Sequence, residues 1–373
     1  KGFLQYPREG AHYRPVKERL SDYREVEVHP DEEKIKTQGA RCMECGTPFC
    51  HSLGCPLGNL IPEVNDAAAA GLWREAYERL ELTNNFPEVT GRICPALCEA
   101  SCTLSINDAP VTIRSIEYSV TEHAFREGWV VPRPPKAESG KRTAVIGSGP
   151  AGLSAAQQLR RAGHKVTVFE KSDRIGGLLR YGIPNFKLDK GVLERRLAII
   201  ASEGVEFETG VNAGKDISTA YLLRKFDAVL IATGAGMPRD IAVPGRELQG
   251  IHFALDSLTE ANRWASDGSV PGIRADGKNV LVLGGGDTGS DCVGTARRQG
   301  ADNIYQFEIL QELPKQDGYS NPSWPEWPRI LRTSSSHEEG CERRFSTTVL
   351  RFEGSCGKIE KTIYADVEWK QNS

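Results

Sequence analysis

Two kinds of hydrophobic periodicity divide the chain. Up to about residue 130, small and apolar positions recur at helical intervals, as over residues 61–80, and predict a mainly helical segment. Residues 131–141, rich in proline and charge, interrupt that pattern and read as a linker. Beyond them, short continuous apolar runs alternate with amphipathic stretches. Residues 142–147 predict a buried strand, 151–163 a helix and 165–170 a second strand, the order of a βαβ unit. Residues 227–233 predict another strand that runs into a glycine-rich turn. A second βαβ unit opens at 279–283, continues through a helix to about residue 299 and returns at 304–307. Because the two units are similar to each other, two nucleotide-binding domains are expected. The predicted fold class is α+β and multidomain: a helical N-terminal domain over 1–135, then two Rossmann-like α/β domains over 141–240 and 241–373.

Length and composition agree with that division. A chain of 373 residues has room for two or three domains with separate cores. A net charge of −3 gives no reason to expect nucleic acid or an anionic membrane as partner. Apolar runs stay short of the roughly 18 to 20 residues that span a bilayer, and the first residues lack the apolar core of a signal peptide.

The cysteines change the picture most. Seven of ten fall between residues 42 and 102, as Cys42-x2-Cys45-x4-Cys50-x4-Cys55 and Cys94-x3-Cys98-x3-Cys102. Iron–sulfur ligation is the leading reading, which makes the N-terminal domain an iron–sulfur domain and the chain an electron-transfer protein. Two cubane clusters need eight ligands, so seven cysteines call for one further donor. Helical spacing places Cys94, Cys98 and Cys102 on one face of a helix, with Pro95 in a tolerated first-turn position. Structural zinc prefers paired knuckles in fours and fits seven cysteines poorly; disulfides do not suit the reducing cytoplasm, the expected compartment. Isolated Cys292, Cys341 and Cys356 are expected to be buried hydrophobes.

Both βαβ units carry a glycine loop between strand and helix. The first is Gly147-Ser-Gly149-Pro150-Ala151-Gly152, with Glu170 closing the next strand eighteen residues on. Glycines there allow a tight turn and close backbone approach to a pyrophosphate, the helix N-terminus favours its charge, and the acid can accept from ribose hydroxyls. A second glycine turn at Gly176-Gly177-Leu178 follows where flavoproteins of this kind place one, which favours FAD. The second loop is Gly284-Gly285-Gly286-Asp287-Thr288-Gly289, with Glu308 nineteen residues further, a candidate for a nicotinamide cofactor. Asp287 and Thr288 have an alternative role as helix caps.

Taken together, Arg41-Cys-Met-Glu-Cys-Gly-Thr-Pro-Phe-Cys50, Cys94-Pro-Ala-Leu-Cys98, Gly177-Leu-Leu-Arg-Tyr-Gly-Ile-Pro184 and Gly284-Gly-Gly-Asp-Thr-Gly289 resemble the small (beta) subunit family of glutamate synthase. The resemblance covers essentially the whole chain. Related electron-input modules occur in dihydropyrimidine dehydrogenase and in bifurcating ferredoxin-NADP oxidoreductases, which are the alternative functional reading within enzymes; a non-catalytic cluster-bearing docking subunit is the alternative outside them. The resemblance implies two 4Fe-4S clusters in the helical domain, FAD in the first Rossmann-like domain and NADH or NADPH in the second. It implies a large (alpha) subunit partner carrying FMN, where 2-oxoglutarate and glutamine-derived ammonia become glutamate. It also groups Cys42, Cys45, Cys50 and Cys102 around one cluster, and Cys55, Cys94 and Cys98 around the other.

Aligned through Pro110, Glu117 stands where dihydropyrimidine dehydrogenase uses a glutamine, and is the candidate eighth ligand; its alternative is an ordinary solvated helix glutamate. Leu178 and Lys187 match FAD-contacting positions, and Gly285, Gly286, Asp287 and Thr288 match nicotinamide-cofactor positions. Two departures stand out. NADP-using relatives commonly have an arginine pair after the second strand of the nicotinamide domain, whereas this chain reads Phe307-Glu308-Ile309-Leu310, which favours NADH. Arg297, Arg298, Arg343 and Arg344 are alternative phosphate contacts, with Ser334, Ser335 and Ser336 as hydroxyl donors. The returning C-terminal segment that completes the flavin domain in the family is not in this sequence, so the flavin domain is expected to lack its C-terminal part. No residue resembles a covalent nucleophile or essential general base, so no catalytic side chain is assigned, and rate is expected to come from juxtaposing nicotinamide and flavin. The Trp- and Pro-rich run 323–328 is a candidate partner contact or an ordered packing loop.

Overall fold

A computed structural model describes residues 2–315 and 323–370. Its N-terminal part is built from the helices Glu32–Gly39, Ile61–Ala69, Trp73–Glu81, Pro87–Ile93 and Ile113–Arg126, preceded by a small antiparallel pairing of His12–Tyr13 with Glu27–Val28. The continuous helical pattern expected over 61–80 resolves into two helices, because Gly71 takes φ +73° and turns the chain between them. Their apolar faces meet in one core with Ile35, Val64, Tyr77, Leu80, Ile116 and Val120, and the cysteines hang from its edge.

After residues 131–141, which form neither helix nor strand, a parallel sheet runs in the order Glu206–Thr209, Lys165–Glu170, Arg142–Ile146, Ala228–Ile231. The two central strands bury Val145, Val166 and Val168 against the helices Pro150–Arg161 and Lys190–Ser202, as expected where helices cover a parallel sheet. Ala228–Ile231 forms one edge, and Ile231 is 76% exposed.

The second parallel sheet contains Asn279–Leu283, Asn303–Phe307 and Glu342–Arg344, with the helix Asp287–Arg298 between its first two strands. A long antiparallel hairpin of Thr347–Ser355 with Lys358–Asp366 follows. This is the expected combination of a helical domain and Rossmann-like dinucleotide folds. No helix among the described residues is long and apolar enough to cross a membrane.

Buried side chains tie these parts together. Phe86 and Val89 of the helical part pack into the core of the first sheet, and the Glu88 carboxylate pairs with Arg196 through bonds of 2.5 and 2.8 Å. The N-terminal Arg19 meets Glu339, 2.8 Å away and fully buried, which also holds Arg298 at 2.6 Å. Arg298 in turn lies over the Phe186 ring, 3.9 Å from its centre.

Candidate functional site: two thiol sets and two glycine loops

The turn Cys50–Gly54 closes tightly around the first cysteines. Gly54 is required there, since a Cβ would lie 2.7 Å from the Cys98 Cα and 2.9 Å from the Ser101 Cβ. Cys42, Cys45, Cys50 and Cys102 line one small apolar pocket together with Met43, Pro62, Leu104 and Val111. This is the four-thiol grouping implied by the resemblance. Cys55, Cys94 and Cys98 lie together elsewhere, and the Cys94 and Cys98 thiols are raised first by burial and then by the nearby Glu117 carboxylate.

One expectation fails. Cys94, Cys98 and Cys102 do not share a helix face: Cys94 ends the helix Pro87–Ile93 in extended conformation, Cys98 sits in the four-residue helix Leu97–Ala100, and Cys102 follows it, again extended. Pro95 forces its predecessor out of the helical region, and Ala96 at φ +61° completes the break. The break lets Cys102 join the first set while Cys94 and Cys98 join the second.

Burial raises the thiols of Cys42, Cys94 and Cys102, and pushes Cys50 up to about 12, with neighbouring Cys102 and Cys42 adding to the effect. Arg114 opposes the rise at Cys94, but burial outweighs it. A bound metal would supply the positive charge, because a coordinating thiol is deprotonated outright. Among the described residues no three His, Cys, Asp or Glu side chains converge on a single-ion position.

Glu117 is buried, not a solvated helix glutamate: its residue is 6% exposed. Burial raises its carboxyl to about 7, against the opposing effect of a 2.8 Å hydrogen bond from Asn59 Nδ2. Of the three isolated cysteines, Cys292 and Cys341 pack against the core of the second sheet. Cys356 is exposed at the tip of the C-terminal hairpin, where the chain turns with φ +50°, so the buried-hydrophobe expectation fails for it.

The two glycine loops repeat one construction. Gly147 and Gly284 turn at φ +104° and +110°, and the last glycine of each loop lies against the first: a Cβ on Gly152 or Gly289 would come within 2.0 or 2.3 Å of the carbonyl oxygen of Gly147 or Gly284. Gly149 and Gly286 have open space where a Cβ would be, as a backbone needs if a pyrophosphate is to approach it. The acids occupy equivalent places too. Glu170 accepts from the Ser148 N–H at 3.1 Å, the Ser148 hydroxyl at 2.5 Å and the Ser172 N–H at 2.8 Å. Burial disfavours its ionisation, but these donors outweigh it and hold the carboxyl below its ordinary value. Glu308 accepts from the N–H groups of Gly285 at 2.7 Å and Leu310 at 3.0 Å. Each acid therefore supports its loop.

Gly177 packs onto the first loop, its position for a Cβ only 2.8 Å from the Gly149 Cα, and the Gly176 N–H donates to the Ser148 hydroxyl at 3.0 Å. Pro150 and Ala151 open the helix behind the loop, and Leu178, 56% exposed, opens the next one. Lys187 reaches from the same segment to an ion pair with Asp291 of the helix Asp287–Arg298, joining the two dinucleotide units. Asp287 and Thr288 stand in the first turn of that helix, whose cap is Gly286 with no side-chain bond, so their capping alternative is not realised.

Ser334, expected as a hydroxyl donor to phosphate, instead joins a chain of polar groups beneath the second loop that sequence reasoning missed. Ser290 meets Ser334 at 2.5 Å, Ser334 meets His337, and His337 Nε2 donates to Gln306 Oε1 at 2.9 Å. Gln306 Nε2 then donates to the Gly284 carbonyl at 3.0 Å. No motif announces it, because Ser290, Gln306 and the Ser334–His337 pair are distant in sequence. Arg297 and Arg298 are used elsewhere, on the Gly340 carbonyl and on Glu339. The Trp-rich run turns inward: Trp324 Nε1 donates to the Cys102 carbonyl at 3.2 Å, the Ser101 hydroxyl donates to the Pro325 carbonyl at 2.7 Å, and Phe49 packs on the Trp324 ring.

Comparison with known proteins supplies the family. Residues 19–129 match the family described as dihydropyrimidine dehydrogenase domain II, 4Fe-4S cluster, and residues 141–355 match the pyridine nucleotide-disulphide oxidoreductase family. The glutamate synthase [NADPH] small chain of Mycobacterium tuberculosis is 54% identical over 96% of this chain and 74% of its own length. The corresponding small chain of Bacillus subtilis is 48% identical over 91% of this chain and 71% of its own. Glutamate synthase [NADH] of Schizosaccharomyces pombe is 46% identical over the whole chain, which matches 18% of that longer protein. Joining an iron–sulfur domain to a pyridine-nucleotide oxidoreductase fold, this chain belongs to the glutamate synthase small-chain family.

Proposed function

We propose that this chain oxidises NAD(P)H and passes the electrons through FAD and two 4Fe-4S clusters to a glutamate synthase large (alpha) subunit carrying FMN, in the cytoplasm. The observation that carries the reading is the presence, in one chain, of two thiol sets and two equivalent glycine loops bridged by Lys187 and Asp291. When bound, these groups supply hydride and single-electron transfer, which the protein directs by position and electrostatics. Cys42, Cys45, Cys50 and Cys102 would hold one cluster, and Cys55, Cys94, Cys98 and Glu117 the other. Gly147, Gly149, Pro150, Ala151, Gly152, Glu170, Gly177, Leu178 and Lys187 would hold FAD. Gly284, Gly285, Gly286, Asp287, Thr288 and Glu308 would hold the nicotinamide nucleotide. The corresponding domains are 1–135, 141–240 and 241–373. An anaerobic optical spectrum with iron and flavin assays, followed by titration with NADH and NADPH, tests the reading. About eight irons and one reducible flavin per chain are expected; zinc in place of iron would overturn it.

NADH is the proposed preference, from the carboxylate at Glu308, although relatives are named for either nucleotide. Because Glu308 also accepts from Gly285 N–H, Glu308→Arg would disturb the loop along with the charge. Glu308→Gln keeps an acceptor and removes the charge. The ratio of kcat/KM for NADPH to that for NADH should rise in this variant, and an unchanged ratio would sink the assignment.

A further inference from the structure

Between Cys55 and the helix Ile61–Ala69 lies Asn59, 2% exposed, with every polar group engaged. Its N–H donates to the Cys55 sulfur at 3.5 Å, and its carbonyl accepts from His51 Nδ1 at 2.8 Å and from the Ile61 N–H at 2.7 Å. In the side chain, Oδ1 accepts from the Thr83 hydroxyl at 2.9 Å, and Nδ2 donates to Glu117 Oε1 at 2.8 Å. One residue thus touches a thiol and the carboxylate of the same proposed ligand set. It draws on the turn Cys50–Gly54 through His51 and on the end of the helix Trp73–Glu81 through Thr83.

The Glu117 carboxylate settles which way the amide points. An ionised carboxylate only accepts, so the NH2 group must face it, because the reversed amide would set a carbonyl oxygen against a carboxylate oxygen in a buried site, which is repulsive; the Thr83 hydroxyl, able to donate or accept, then donates to Oδ1. The bond to Oε1 fixes the rotation of the Glu117 carboxyl about its own axis. Oε2 is then the oxygen left for a metal, since among the described residues the carboxyl's side-chain partner is Asn59 alone. A carboxylate free to rotate would hold iron in several geometries, and outer partners of this type orient the ligand they touch and tune its metal.

We propose that Asn59, aligned by Thr83, is the positioning residue that presents Glu117 and Cys55 to the second cluster, and so sets that cluster's assembly and potential independently of the first. This rests on the assignment of Glu117 as a ligand. The cluster of Cys42, Cys45, Cys50 and Cys102 serves as an internal control, because Asn59 is outside the pocket those residues line.

The test uses the whole chain purified anaerobically, with Asn59→Leu, Thr83→Val, Thr83→Ser and Glu117→Ala compared by iron content, electron paramagnetic resonance after reduction and redox titration. Asn59→Leu should fall from about eight irons to about four, losing the same resonance that Glu117→Ala loses and keeping the other. Thr83→Val should retain iron and shift the potential of that one cluster, and Thr83→Ser, which keeps the hydroxyl, should restore it. Wild-type iron, resonance and potentials in both Asn59→Leu and Thr83→Val would overturn the proposal. If Asn59→Leu does not fold, judged by circular dichroism, the Thr83 pair decides alone. A wild-type chain without a second cluster would instead overturn the ligand assignment, and loss of both resonances in Thr83→Val would show a general structural role rather than positioning.

Discussion

Removing the Glu339 carboxylate should uncouple the N-terminal segment from the second dinucleotide unit. Its side chain is wholly buried and lies between Arg19 at 2.8 Å and Arg298 at 2.6 Å, both of them buried as well. Deleting one partner of a buried ionic group costs about 3–5 kcal/mol, because the remaining charge is stranded. Here the remaining charges keep some acceptors. Arg19 retains the carbonyls of Arg14 and Ser335 and the Glu338 carboxylate, while Arg298 retains only the carbonyls of Asp22 and Gly294. The lower end, about 3 kcal/mol, is therefore expected for Glu339→Leu, roughly a hundredfold in the folded-to-unfolded ratio. Urea titrations followed by tryptophan fluorescence would measure it. The decisive control is Arg19→Met, Glu339→Leu and Arg298→Met combined. With no buried charge left to strand, Glu338 being exposed to water, and the methionine that replaces Arg298 able to pack on Phe186, the triple variant should lie within about 1 kcal/mol of wild type. If Glu339→Leu costs less than about 1 kcal/mol, or the triple variant is worse than the single one, the buried-charge reasoning is wrong.

Gly54→Ala would force a methyl into the Cys98 backbone and should reduce iron content in both thiol sets, since the turn it spoils begins at Cys50 and ends beside Cys55; iron analysis checks this. Gly152→Ala and Gly289→Ala meet the same obstruction in different loops, so the first should lower flavin content and the second should raise KM for the nicotinamide nucleotide with flavin retained. Lys190 is held down to about 7 by burial, with Arg180 adding to the effect. Its native pKa lies below the unfolded value, so the unfolded chain binds more protons between about pH 7 and 10.5 and stability should rise with pH there, by at most about 1.4 kcal/mol per unit. Lys190→Met should flatten that rise in urea titrations at pH 7.5 and 9.5; an identical slope would remove Lys190 as its source.

Much of this architecture was legible in the sequence, and the reasons are local. Gly147 and Gly284 need a left-handed turn, Gly152 and Gly289 cannot carry a side chain, and Glu170 and Glu308 close the adjacent strands, so both loops were readable from short-range pattern. The cysteine spacing was equally plain, but its helical reading was not. Periodicity placed Cys94, Cys98 and Cys102 on one face, whereas Pro95 and the left-handed Ala96 divide them between two sets.

What the sequence determined by itself was pattern carried within a few residues: thiols in number and spacing, and two glycine turns between strand and helix. Only the tertiary structure decided how those pieces are held against one another. Glu117 became a buried neighbour of Cys94 and Cys98, bonded by Asn59, which Thr83 holds in turn from elsewhere in the chain. Trp324 came to rest on the Cys102 carbonyl, and Glu339 was buried between two arginines 279 positions apart, Arg19 and Arg298. Such pairings depend on which desolvated groups find partners when the cores form, and a desolvated charge or amide is satisfied by whatever lies nearest in space, not in sequence.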